Sequence, residues 1–246
     1  MFIAKTSKIK KISKENGTMI VNELTQLLAG NVGVYIDYAN IRPWSEYLNW
    51  HVDLKRLKQF LDSFDNIKSV KIYIGTLIGD KSSEKLIKEI KRLHYELRTK
   101  SVKIMRFSID ASSISRQSTD LLKQFIRLTL IRKYEVATIE YLNDKFRELN
   151  ARGEYFLEDR KCNFDVEIGR DMLIDYDQNK VNTYVLWSGD SDFAEPISHL
   201  LNSGKKVILF ATSRRVSREL NDLRNYGLLI FDIRKIKKFI CWRREL

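Results

Sequence analysis

Short apolar runs alternate with amphipathic segments along most of the chain, and this alternation is typical of an α/β protein. The runs that predict strands are residues 32–36, 70–74, 102–107, 183–187, 207–210 and 228–231. Apolar residues spaced by three and four predict helices that begin near Asp53, Ser82, Asp192 and Arg215. The strands are apolar on both faces, as expected where helices cover both sides of a sheet. The pattern therefore predicts an α/β fold with a mainly parallel sheet and right-handed crossovers.

Two parts of the chain depart from this rhythm. Residues 1–18, which contain five lysines before residue 15, predict a basic flexible arm. Residues 108–160 begin as a polar loop and continue as a helical segment, with a break near Tyr134. We interpret residues 19–246 as a single domain with a helical insertion at about 108–160 and a basic tail at about 234–246. The pattern favours a helical hairpin for the insertion; a lid, a homo-oligomer contact and an RNA clamp are alternatives.

Aspartates occur at three separate places in the sequence. Asp37 and Asp190 follow apolar strands, Asp192 comes two residues after Asp190, and Asp165 begins a predicted helix. Because ligands of open parallel sheets bind at the carboxyl ends of the strands, these side chains could meet there. Gathered carboxylates repel each other unless a cation lies between them, and Mg²⁺ prefers such oxygen ligands. The sequence therefore predicts a magnesium-type site.

Each of these residues also has a structural interpretation. Asp165 and Asp192 could cap the helices that follow them. Asp37 is harder to explain in this way, because a carboxylate at the end of a buried strand needs a partner. Asn40 could hydrogen-bond a ligand carboxylate or a phosphate, or make a turn. Ser188 precedes a glycine that would let the backbone approach a ligand, although a simple strand-ending turn is equally consistent.

Charge indicates the partner. Lysine and arginine number 44 against 32 acidic residues, which gives a net charge of +12. This excess favours nucleic acid first and a membrane surface second. Two cysteines and three histidines provide no cluster at zinc spacing, and the small number of cysteines favours an intracellular, cytoplasmic protein. No apolar run has the length of a membrane span.

With these motifs in order, the chain resembles the NYN domains, a branch of the PIN-like metal-dependent nucleases, and within them the LabA-like group. The resemblance rests on Asp37 with Asn40, on residues 161–165 with Asp171, on residues 188–193, and on residues 204–207. It covers about residues 32–233 apart from the insertion. It implies a Rossmann-like PIN fold, Mg²⁺ or Mn²⁺ as cofactor, and RNA as the usual substrate.

The resemblance also implies residue roles. It gives catalytic and metal-binding roles to Asp37, Asp165, Asp190 and Asp192. It gives supporting positions to Asn40, Ser188, Asp171 and Lys161, and Asp171 ranks lower because six helical residues separate it from Asp165. Lys161 is in doubt because one extra residue stands between it and Asp165.

Basic residues near the motifs are candidates for binding nucleic acid: Arg42, Lys205, Lys206, Arg214, Arg215 and Arg218. Each of them could equally be a solvated surface residue. The leading hypothesis is a metal-dependent endoribonuclease. The alternative is a catalytically silent RNA-binding or regulatory module on the same fold.

Overall fold

The computed structural model describes residues 1–41, 50–212 and 215–243. The strands are β1 (Val32–Asp37), β2 (Trp50–Val52), β3 (Ile67–Thr76), β4 (Glu96–Ser101), β5 (Lys103–Ser108), β6 (Phe156–Lys161), β7 (Thr183–Trp187), β8 (Lys206–Ala211), β9 (Leu229–Asp232) and β10 (Cys241–Arg243). The helices are α1 (Ser7–Ile12), α2 (Thr18–Leu27), α3 (Leu54–Leu61), α4 (Lys81–Arg92), α5 (Leu128–Ile131), α6 (Val136–Ala151), α7 (Asp165–Asp177), α8 (Ala194–Asn202), α9 (Arg218–Asp222) and α10 (Lys237–Ile240). A π-helical turn (Ser13–Gly17) and short 3₁₀ turns connect several of them.

Six strands form one parallel sheet in the order β4-β3-β1-β7-β8-β9. The chain builds one half outward from β1 and the other half outward from β7, so the strand order reverses between these two neighbours. Ile36 of β1 pairs with Trp187 of β7, which brings the two carboxyl ends side by side. Ligands of open α/β sheets bind at such a switch point. The predicted Rossmann-like, PIN-like α/β fold is confirmed.

The described chain divides into two compact units, residues 1–101 with 162–246 and residues 102–161. The first contains the sheet and a large apolar core that includes Trp187, Phe210 and the apolar side chains of β1, Val32, Val34, Tyr35 and Ile36. The second pairs β5 with β6 as an antiparallel hairpin. Its helices enclose a small cluster of Leu122, Ile131 and Ile139.

The N-terminal residues correct one expectation. Residues 7–27 are helical, although the sequence predicted a flexible arm over residues 1–18. Ile9 is buried in the main core, whereas the neighbouring lysines of α1 are exposed. Phe2 packs against Phe64, with ring centroids 5.0 Å apart. Alternation of lysine with isoleucine therefore marks an amphipathic helix here, and lysine content alone was misleading.

The edge of the sheet corrects a second expectation. The apolar spacing from Ser82 to Arg98 predicts one helix, but α4 ends at Arg92 and is followed by strand β4 of the sheet. β4 is an edge strand of mixed polarity, so the apolar spacing of Leu97 is as consistent with a helix as with a strand. The predicted strand at residues 102–107 exists as β5, but it belongs to the hairpin of the second unit.

The insertion and the C-terminal tail both contain regular elements. The long helical segment of the insertion consists of a 3₁₀ turn (Leu122–Gln124), α5 and α6, with the break at the predicted place near Tyr134. The C-terminal tail forms α10 and then β10, which pairs antiparallel with β2. Phe239 and Ile240 are buried, so the tail packs into the first unit.

Candidate metal centre

Asp37 ends β1 at the switch point. Its side chain is only 3% exposed, and Asn40 in the helical turn that follows donates from Nδ2 to Asp37 Oδ2 at 2.6 Å. The backbone N–H of Asn40 also approaches Oδ1 at 3.4 Å. Asn40 therefore holds a carboxylate in place, which is one of the roles that the sequence left open.

Asp190 and Asp192 lie on the turn after β7. The Asp190 side chain accepts a hydrogen bond from the Asp192 N–H at 3.3 Å and caps the 3₁₀ turn Ser191–Phe193. Ser188 is fully buried, and its Oγ accepts from the Asp190 N–H at 3.3 Å. Ser188 thus shapes the turn that presents the two carboxylates.

Gly189 is required because another stretch of backbone crosses it. A Cβ atom at this position would lie 1.8 Å from the carbonyl oxygen of Arg215. The Ser217 N–H also donates to the Gly189 carbonyl oxygen at 3.0 Å. The sequence suggested that this glycine admits a ligand; the structure shows that it admits the loop before α9.

Asp165 is the first residue of α7, and α7 contacts both β1 and the 3₁₀ turn that contains Asp192. The capping position belongs to Phe164, which makes no side-chain cap, and Asp192 caps no helix either. The capping interpretation that the sequence allowed for both residues is therefore wrong. Their carboxylates are left for another role.

The carboxylates of Asp37, Asp165, Asp190 and Asp192 are near enough to influence the pKa of Asp165 or of Asp37. Burial, the charges of Asp190 and Asp37, and a hydrogen bond with Asp192 together raise the pKa of Asp165 from its ordinary value of 3.8 to about 6, against a hydrogen bond from Asn163. Burial also raises the pKa of Asp37, and the charge of Asp190 adds to the rise, while hydrogen bonds from Asn40 and Ala39 oppose it. Negative charges that raise each other's pKa are stabilised by a cation between them.

One atom of this group lacks a partner. The Oδ2 atom of Asp165 is buried and accepts no hydrogen bond from the described residues. Buried carboxylate oxygens are costly without compensation. Oxygen donors with unmet negative charge fit a hard divalent cation such as Mg²⁺ or Mn²⁺. Among the described residues, however, no three acidic, histidine or cysteine side chains stand close enough to hold an ion as they are.

Asp171 faces away from this group. It is buried and accepts hydrogen bonds from the Tyr73 hydroxyl at 3.0 Å and from Arg98 Nε at 3.2 Å. Burial raises its pKa, but bonds from Arg170, Tyr73 and Arg98 produce a net decrease. Its geometry is that of an ion-paired structural residue. Lys161 ends β6 in the second unit, and its supporting role stays a prediction.

The predicted basic residues separate into two groups. Lys205 and Lys206 stand at the amino end of β8, where Lys206 pairs with the first residue of β7, Thr183. This is the edge of the sheet opposite the carboxylates. Arg215 and Arg218 instead flank the loop that crosses Gly189, and both are exposed. Arg42 and Arg214 lie outside the described residues.

One residue near these carboxylates, Lys100, is not marked by any motif in the sequence. Lys100 lies in β4, the neighbour of β3 in the sheet. Its Nζ is 2.7 Å from Glu167 Oε1 on the first turn of α7 and 5.1 Å from the Phe164 ring centroid. The charges of Lys100 and Asp37 both act on the pKa of Cys162, so all three lie in one neighbourhood. Burial raises the pKa of Cys162, so its side chain is a protonated thiol at neutral pH. A polar edge strand with no motif gave no signal for Lys100.

Comparison with known families supports this architecture. The family model of the NYN domain matches residues 31–227, which is most of the chain. The chain belongs to the NYN domain family. NYN domains are PIN-like nuclease domains, so a nuclease-type function and a nucleic-acid substrate are indicated, and the use of divalent metals is usual in the family. The narrower LabA-like grouping stays a prediction.

A crystal structure of a protein of unknown function from Vibrio parahaemolyticus is similar to this NYN domain protein. The two share 15% sequence identity with a TM-score of 0.50, and the match covers 86% of this chain and 96% of the other. This likeness supports the fold alone. No curated protein matches the chain. In the described residues, no helix of this NYN domain protein is long and apolar enough to span a bilayer.

Proposed function

We propose that this NYN domain protein is a divalent-metal-dependent endoribonuclease, which hydrolyses phosphodiester bonds in RNA. The main support is the convergence of carboxylates from three segments, Asp37, Asp165 and the Asp190–Asp192 turn, at the switch point of the sheet. The unpartnered buried oxygen of Asp165 adds to it.

Asp37 and Asp190 are the proposed principal ligands, because they end or follow the two adjacent central strands. Asp165 and Asp192 would complete the set directly or by orienting water. A bound Mg²⁺ or Mn²⁺ would polarise the phosphodiester and make a water molecule more acidic at neutral pH. Asn40 keeps Asp37 in position, and Ser188 keeps the Asp190 turn in position.

Positive charge is needed beside an acidic site to admit a polyanion. Arg215 and Arg218 are the proposed backbone contacts, since they flank the loop that crosses Gly189. Lys100 reduces the negative charge at the first turn of α7 by pairing with Glu167. A cytoplasmic location is proposed together with the RNA substrate.

The test is to incubate the purified protein with labelled single-stranded RNA and DNA in Mg²⁺, in Mn²⁺ and in EDTA. Asp190→Asn keeps an oxygen that can cap the 3₁₀ turn, so folding should be retained while a ligand charge is lost. Asp159→Asn, which changes an exposed carboxylate of β6, is the matched control. We expect metal-dependent RNA products from the wild type and the control, and at least about a hundredfold less from Asp190→Asn.

A second candidate is an RNA-binding module without catalysis. The observation in its favour is that no three metal-type ligands of the described chain already stand in binding positions. It predicts that RNA binding survives Asp190→Asn and that no metal produces cleavage. Absence of product with every metal, from a folded protein that binds RNA, would support this candidate against the nuclease.

A further inference from the structure

The second unit carries a basic, partly aromatic surface on residues 121–134. This stretch contains Lys123, Arg127, Arg132 and Lys133 and no acidic residue. All four are exposed. We name it the 121–134 surface.

Most cations of this surface have no acidic partner among the described residues. Elsewhere in the unit, Arg106 pairs with Glu158, Arg116 and Arg147 with Asp144, and Lys145 with Glu148. On the 121–134 surface only Lys123 has such a partner, Asp120. Within the described chain, Arg127, Arg132 and Lys133 form no ion pair. Their charge is therefore available to an anionic partner.

Apolar and aromatic groups lie between these charges. Phe125 is 41% exposed and Tyr134 39%, and Leu128 and Leu130 are each 48% exposed. The inward side of the same stretch supplies Leu122 and Ile131 to the small core of the unit. Phe125 is held by its neighbours, with its ring centroid 6.0 Å from that of Phe107 and 6.1 Å from that of Phe146. A supported ring with an open side can stack on a nucleobase at little entropic cost.

A shallow cavity of about 390 Å³ adjoins this ring. It is lined by residues 123–128, which include Lys123, Phe125 and Arg127. An aromatic group and cations around one depression match the two components of a nucleotide, the base and the phosphate. We propose that the 121–134 surface binds single-stranded nucleic acid, with phosphates on Arg127, Arg132 and Lys133 and bases on Phe125 and Tyr134.

Charge, size and base stacking argue against three other occupants. A second copy related by a two-fold axis would place this surface against itself, and its four cations would repel. A membrane surface would need a longer amphipathic helix, whereas α5 contains only four residues. Double-stranded nucleic acid keeps its bases stacked and would leave the rings unused.

This inference rests on the proposed function, because the strand bound by the 121–134 surface is single-stranded RNA, the proposed substrate. The test therefore measures binding without cleavage. Fluorescence anisotropy of a labelled single-stranded RNA of about 16 nucleotides is recorded in EDTA, with the full chain carrying Asp190→Asn. A labelled DNA of the same sequence is the second arm.

Two sets of variants separate charge from stacking. The triple variant Arg127→Ala/Arg132→Ala/Lys133→Ala should weaken RNA binding by about tenfold or more, and reduce the slope of log affinity against log salt by about 2. The matched control, Lys85→Ala/Lys88→Ala/Lys91→Ala, removes three exposed cations from α4 and should change affinity less than about threefold. Phe125→Leu and Tyr134→Leu keep apolar surface but lose the ring, and each should weaken binding at least about fivefold.

The outcomes are distinct. Equal weakening by the α4 control and the triple variant, with thermal melting showing both folded, would overturn the inference. Unchanged RNA affinity with lost binding to anionic lipid vesicles would assign the surface to a membrane and overturn it. Unchanged RNA affinity with loss of a dimer in light scattering would assign it to self-association. Lost binding in the triple and ring variants supports it even if the wild type cleaves nothing, and in that case only the nuclease proposal fails.

Discussion

Replacing Asp165 by asparagine should stabilise the protein when no divalent metal is present. The reason is that the pKa of this carboxyl group is raised from 3.8 to about 6 by burial, by the charges of Asp190 and Asp37, and by a hydrogen bond with Asp192. The folded state thus holds a proton more tightly than the unfolded state. Stability from this group is complete below about pH 4 and is lost as the pH rises through about 6.

The size of the effect follows from the same pKa. One pKa unit corresponds to about 1.36 kcal/mol, so ionising Asp165 at pH 7 costs the folded protein at most about 3 kcal/mol. Partial exposure to solvent reduces this to about 1–2 kcal/mol. Asp165 also lies at the start of α7, where losing a negative charge removes about 0.3–1 kcal/mol of favourable interaction with the helix dipole. The net gain for Asp165→Asn at pH 7 is therefore about 1 kcal/mol, or about 2–4 °C in Tm.

Urea unfolding in EDTA at several pH values from 4 to 8 measures this directly. Wild type should lose stability between pH 4 and 6.5 relative to Asp165→Asn, and Asp159→Asn should follow the wild type. Adding Mn²⁺ at pH 7 should stabilise the wild type and have little effect on Asp165→Asn. If Asp165→Asn is less stable than the wild type at pH 7 in EDTA, Asp165 is not in a cluster of repelling carboxylates.

Three further changes test other parts of the structure. Lys71→Met should lower the free energy of unfolding in urea by about 3–5 kcal/mol, because it leaves Asp175 buried without its ion pair. Adding Asp175→Asn to Lys71→Met removes the unpaired charge and should restore part of that stability. If the double variant is as unstable as Lys71→Met, the unpaired charge is not the cause. Gly189→Ala should destabilise by about 1–3 kcal/mol through its clash with the crossing loop, and an unchanged Tm would contradict that contact. Asn40→Ala should raise the pKa of Asp37 further, so that the acidic limb of the pH–rate profile moves to higher pH; an unmoved limb would show that the 2.6 Å bond does not tune the site.

The two central strands of the sheet, β1 and β7, could be predicted from sequence because every one of their residues is buried. β1 and β7 are apolar runs that end at charged or turn residues, and their ends carry the motif aspartates. Parallel topology then requires those ends to share an edge of the sheet. The adjacency of the ends of β1 and β7 thus followed from the pattern, and a shared cation site of Asp37 and Asp190 stays a prediction.

Features that depend on contacts distant in sequence could not be predicted. The ion pair of Lys100 with Glu167 joins residues 67 positions apart, and β4 is an edge strand without a clear apolar pattern. Lys205 lies at the amino ends of the strands, opposite the carboxylates, because of the direction of β8. Its closeness to the motifs in the sequence did not reveal this. The helical packing of Ile9 depends on a core that only the folded chain assembles.

The 121–134 surface illustrates the same limit. Its composition is visible in the sequence, but a basic stretch with apolar residues can be a buried helix or an exposed face. Exposure of Phe125 and Tyr134 together with unpaired arginines distinguishes the two.

Equilibrium binding of Mn²⁺, followed by electron paramagnetic resonance at pH 7.5, tests the central claim most directly. We predict saturable binding by the wild type and by Asp159→Asn, and at least about tenfold weaker binding by both Asp37→Asn and Asp190→Asn. Folded variants that bind Mn²⁺ as tightly as the wild type would contradict a shared cation site at the ends of β1 and β7.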